Sequence, residues 1–83
     1  MEPHVLHATH DRVRAAYGAA IDANYLRGRA AYERLARLAT YAELLSTIAY
    51  AHVDSAEAKL LADHITQIAA KIREIADAHL AHL

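Results

Sequence analysis

The chain contains no cysteine, phenylalanine or tryptophan, one proline (Pro3) and two glycines (Gly18 and Gly28). Without cysteine there are no disulfides and no thiolate metal sites, which fits a reducing compartment. Two isolated glycines cannot make the Gly-rich loop that cradles phosphates. Charge of either sign is not in excess: nine basic and ten acidic residues leave a formal net charge of -1, so electrostatics do not draw the chain to nucleic acid. No apolar run approaches the roughly 18 residues that would cross a bilayer. Met1-Glu2-Pro3 lacks the basic and then apolar start of a secretory signal. Together these absences predict a soluble, cytoplasmic protein that binds neither nucleic acid nor membrane.

What is present in quantity is alanine. Apolar residues make up 55% of the 83 residues, and 21 residues are alanine. Alanine is the best helix former and lets helices approach closely, but it buries little area. Helix propensity is abundant and core volume is scarce, in a chain near the lower size limit for a self-sufficient core. Such a chain gains burial by packing against copies of itself.

The clearest pattern is in the last third. Ala58, Leu61, Ile65, Ile68, Ile72, Ile75, His79 and His82 follow one another in alternating steps of three and four, with Ala62, Ala69, Ala76 and Leu83 as a second line beside them. That spacing predicts a helix over about 55–82. Asp54, three residues ahead of Glu57, reads as its N-cap, and Lys59 with Asp63 and Arg73 with Asp77 as i, i+4 pairs on its outer side. Ala31, Leu35, Leu38, Ala42, Leu45, Ala49 and His52 repeat the spacing and predict a second helix over about 27–52. Tyr32, Ala36, Ala39, Ile48 and Tyr50 broaden its apolar face, so it should touch helices on more than one side.

A first helix over about 3–23 starts well at Pro3, whose missing N–H costs nothing in the first turn. Its inner face is Leu6, Val13, Ala16, Ala20 and Ile21, and Gly18 weakens it by about 1 kcal/mol relative to alanine. A helix continuing from Asp22 to Arg29 would turn Asn24, Arg27 and Gly28 inward, so a turn near Asn24 is the better reading. The prediction is an all-α, three-helix up-down-up bundle forming a single domain over residues 1–83. Its alternative is a long helical hairpin that dimerises into a four-helix bundle. The last turn of the third helix is expected to overhang the first and to meet another subunit.

Histidine is the enriched reactive residue. His4, His7 and His10 lie at i, i+3 and i+6, and His79 and His82 at i, i+3, spacings at which imidazoles can chelate Zn, Ni or Cu. In an up-down-up bundle His4, His7, His10 and His52 gather at one pole and His79 and His82 at the other. Protonation of His52, His79 and His82 on an apolar seam would weaken assembly between pH 7 and pH 5.5. Arg27, Arg29, Arg34 and Arg37 form a local basic cluster, read as a solvated helix face. Catalysis is not expected: Ser46 is mid-helix, Ser55 lies at a cap, and the carboxylates make no Glu-x-x-His pair.

In its manner of construction, with consistent seams, a placed cap and no identifiable site, the chain resembles computationally designed (de novo) helical-bundle oligomers. Gly18 and the many histidines depart from the usual Glu/Lys/Leu style, and no natural family is matched motif by motif. The wide apolar face of the second helix and the scarce core volume predict a structural, self-assembling homo-oligomer, cyclic in symmetry on general grounds, with no cofactor and no catalytic activity. Tyr32, Ile48, Tyr50, His79, Leu80 and Leu83 are the expected subunit contacts. The alternatives are a metal- or cofactor-binding module built on the clustered histidines, and an adaptor that offers its groove to another protein's helix.

Overall fold

The computed structural model describes residues 3–22 and 28–82. They form α1 (Pro3–Ile21), α2 (Arg29–His52) and α3 (Ala56–Leu80), with no strand among the described residues. The early turns of α1 and α3 lie side by side, as the His10–His64 pair marks, whereas the start of α2 meets the end of α3 at Tyr32 and His79. The arrangement is therefore up-down-up. A continuous helix through the first connection is excluded, because α1 ends at Ile21 and Gly28 stands at φ 82° immediately before α2. That left-handed backbone favours glycine. The turn expected at Asn24, like Arg27 and Leu83, lies outside the described residues.

α3 is the hub. It packs against both other helices, and α1 and α2 touch each other least. The reason is in the side chains at the centre of the seams. The fully enclosed positions of α3 are Ala62, Ile65, Ala69, Ile72 and Ala76, and those of α2 include Ala39, Ala42, Ser46 and Ala49. The alanine line expected to flank the seam is thus as deep as Ile65 and Ile72, because small side chains allow the two backbones to approach. Leu61, Ile68 and Ile75 are half-buried around it. Among the described residues, bulk in the core comes chiefly from Leu6, Val13, Tyr32, Leu35, Ile65 and Ile72.

Several local expectations change. The N-cap of α3 is Ser55, whose Oγ accepts from the Ala58 N–H at 3.3 Å. Asp and Ser cap about equally well, and Ser55 stands three residues ahead of Ala58, the first residue of α3 packed on the core. Arg73 forms its two-pronged pair with Glu43 of α2, Nε to Oε1 at 3.0 Å and Nη2 to Oε2 at 3.1 Å, while Asp77 stays near enough to favour its charge. Its Nη2 also donates to the Thr40 hydroxyl at 2.8 Å. A fork of donors matches a carboxylate better than a single i, i+4 contact does, and the bonds to Glu43 raise the Arg73 pKa above its ordinary value. Lys59 lies over the Tyr50 ring at 5.4 Å. Ile21, placed on the inner face by periodicity, is exposed at the last turn of α1.

α3, with 25 residues, outruns the 19-residue α1 as expected, but its last turn is covered within the chain by α2. α2 has 24 residues and α3 has 25, so the last turn of α3 reaches the first turn of α2. There His79 stacks on Tyr32 with ring centroids 4.3 Å apart and planes 8° from parallel. Leu80 packs against the core.

Candidate functional site

Two places on this frame could carry function: the outer face of α2, and the junction of α1 with α3 near His10. The first follows from the helix period. On α2 the core line is Leu35, Ala39, Ala42, Ser46 and Ala49. The same steps of four and three, moved on by two residues, give Arg37, Tyr41, Leu44, Ile48 and Ala51. Two residues advance a helix by about 200°, so this second line stands nearly opposite the first. All five residues are exposed. Leu44 is 61% accessible, Ile48 52% and Tyr41 49%, which is high for side chains of that size in a chain short of core volume.

Beside this stripe the bundle opens. Where α1 and α2 meet loosely, Arg12 of α1 and Arg34, Arg37, Leu38 and Tyr41 of α2 line a groove of about 390 Å³. The expected basic cluster is thereby extended to α1 by Arg12. His52, the last residue of α2, and Asp54, just beyond the helix, are both exposed. The face is basic toward the start of α2 and apolar in the middle, and Asp54 follows the end of the helix.

The expected subunit contacts separate into three groups. Ile48 belongs to the outer stripe. Tyr50 is half-exposed but faces α3, where Lys59 covers its ring. Tyr32 is 6% accessible, and with His79 and Leu80 it is engaged within one chain. Leu83 lies outside the described residues. Tyr41 and Leu44 were missed by sequence reasoning, although the stripe two residues out of phase with the seam was there to be read.

At the second place, His10 Nε2 and His64 Nδ1 are 3.0 Å apart across α1 and α3, with ring centroids separated by 4.8 Å. One ring donates and the other accepts, so at least one is neutral. Burial pushes the His10 pKa below its ordinary value; His64, Arg14 and His7 push the same way, and Asp11 opposes them. His7 and His64 line an adjoining groove of about 610 Å³ together with Leu6, Ser55, Glu57, Ala58, Leu60 and Leu61. Of the histidines grouped by spacing, only His10 finds this partner, and His64 belonged to neither group. His4 and His7 are exposed on α1. His79 Nδ1 donates to the Ile75 carbonyl at 2.9 Å. His52 and His82 are exposed rather than set in a seam. Among the described residues no three His, Asp or Glu side chains gather as a metal site, and no helix is long and apolar enough to cross a membrane.

No protein family, curated protein or solved structure matches the chain, so its function is read from these two places alone.

Proposed function

We propose that the protein is a structural self-assembly module, a homo-oligomer whose unit is a two-fold pair joined through the outer faces of α2. The observation that carries this reading is the stripe Tyr41, Leu44 and Ile48, three large apolar side chains about half open to solvent on one helix face. Such a patch amounts to on the order of 300 Å² of apolar surface. It is the right size for the centre of an interface that covers about 800 Å² on each partner.

Charge selects a second copy as the partner and antiparallel as the direction. With a two-fold axis passing near Leu44, Arg37 of one copy comes alongside Ala51 of the other, and Arg34 alongside Asp54. The arginines then meet a carboxylate and the C-terminal end of the facing helix, where the helix dipole favours cations. A parallel pairing would instead bring Arg34 and Arg37 against their own copies. A two-fold contact of this kind is self-complementary and closes without leaving an open end.

Light scattering over a range of concentrations tests the reading. The expected result is twice the chain mass for the native protein, and a single-chain mass with undiminished helical circular dichroism for Leu44→Glu/Ile48→Glu. A native protein that keeps the single-chain mass at micromolar concentration contradicts it.

A further inference from the structure

We infer that His10 and His64 form a chelate for a late first-row divalent metal ion, copper(II), nickel(II) or zinc(II), that fastens α1 to α3. The separation of the two ring nitrogens carries the inference. His10 Nε2 and His64 Nδ1 are 3.0 Å apart. Two imidazole nitrogens each bound at about 2.0–2.1 Å to one ion are about 2.9 Å apart when they subtend a right angle and about 3.4 Å apart in a tetrahedron. The observed spacing falls in that range, so an ion can replace the shared hydrogen with ring rotation and no movement of either helix.

The ligand chemistry agrees. Neutral imidazole suits these ions, with copper(II) bound most tightly in the general order of affinities. Binding requires both rings neutral, with the proton of His10 on Nδ1 and that of His64 on Nε2. The proton between the rings moves to an outward nitrogen, so near neutral pH no net proton is released. The two protein ligands leave the remaining coordination positions to water, for which the open groove beside His64 has room.

The chelate has a structural consequence. α1 is joined to the bundle mainly through α3, and a metal bond near its middle would hold it there. This site is independent of self-association, because it lies within one chain and away from the α2 outer face.

Thermal unfolding with nickel(II), copper(II) and zinc(II) chlorides at pH 7.5 tests it, in the native protein and in the Leu44→Glu variant so that association plays no part. The expected result with copper(II) or nickel(II) is a Tm increase of about 5 °C or more in both proteins. The increase is lost in His10→Ala and in His64→Ala, kept in His4→Ala and His79→Ala, and reversed by EDTA. Circular dichroism without metal checks that each variant still folds. Three results would overturn the inference: no Tm change with any of the three ions; a change that survives in His64→Ala, which would place the ion on α1 alone; or a change accompanied by a doubled mass in Leu44→Glu, which would place the ion between copies.

Discussion

The two faces of α2 are built to opposite plans. Beyond Tyr32 and Leu35 near its start, the inner face is lined with small residues, Ala39, Ala42, Ser46 and Ala49, and is covered by the chain's own helices. The outer face carries Tyr41, Leu44 and Ile48, each large and each about half open. Small residues inside let α2 and α3 lie close and make a well-closed seam from little side-chain volume. Large residues outside offer more apolar area than the chain itself covers. The contrast assigns folding to the inner face and, on the proposed reading, assembly to the outer one.

The widest separation between the faces is expected from truncating one leucine on each. Leu35→Ala, at a buried site, should lower stability by about 3 kcal/mol in urea denaturation. Leu44→Ala should change the stability of the isolated chain by less than about 0.5 kcal/mol when measured at concentrations where only single chains are present. Comparable losses at the two sites would erase the distinction.

A smaller effect sharpens the account of the inner face. Ser46 Oγ is buried without a hydrogen-bond partner, unlike Thr9, Thr40, Thr47 and Thr66, which each donate to the carbonyl four residues earlier. Ser46→Ala removes that cost and restores the alanine pattern. It should raise stability by about 1 kcal/mol, read as a higher urea midpoint at unchanged slope. A decrease would mean that the hydroxyl is satisfied within the seam.

The smallest effect is the pH dependence through His10. Its folded pKa lies below the ordinary value of 6.5, lowered by burial, by His64 across the helix pair and by Arg14 and His7, against Asp11. As pH falls through 6.5 the unfolded chain takes up the proton before the folded one does. His10 therefore has no effect on stability well above that pH and lowers stability as pH drops below it. His10→Gln should flatten the acid side of the stability profile between pH 7 and pH 5.5. An unchanged profile would remove His10 as its source.

The three helices and their order were legible because the three-four spacing is long and regular in α2 and α3. Gly28 and the polar run before it marked the break. Which of two neighbouring lines lies deepest was not legible. Size suggests that Leu61, Ile68 and Ile75 should be innermost, but the closeness of α2 and α3 puts Ala62, Ala69 and Ala76 there. Tyr32 was misplaced for a related reason. An aromatic beside an alanine seam reads as surplus, but its partner, His79, is 47 residues away and only the tertiary arrangement brings them together. His64 was missed because spacing along one helix finds neighbours on that helix only. Arg73 follows the same logic, since its partner Glu43 is 30 residues away in sequence.

The absence of cysteine allows one direct test of pairing through the α2 outer face. A single Leu44→Cys substitution would place the only thiols of a pair on either side of the two-fold axis, where mild oxidation can join them. The account predicts rapid conversion to a disulfide-linked dimer, and slow conversion for Glu74→Cys, an exposed position on α3. Equal and slow cross-linking of the two variants would contradict it.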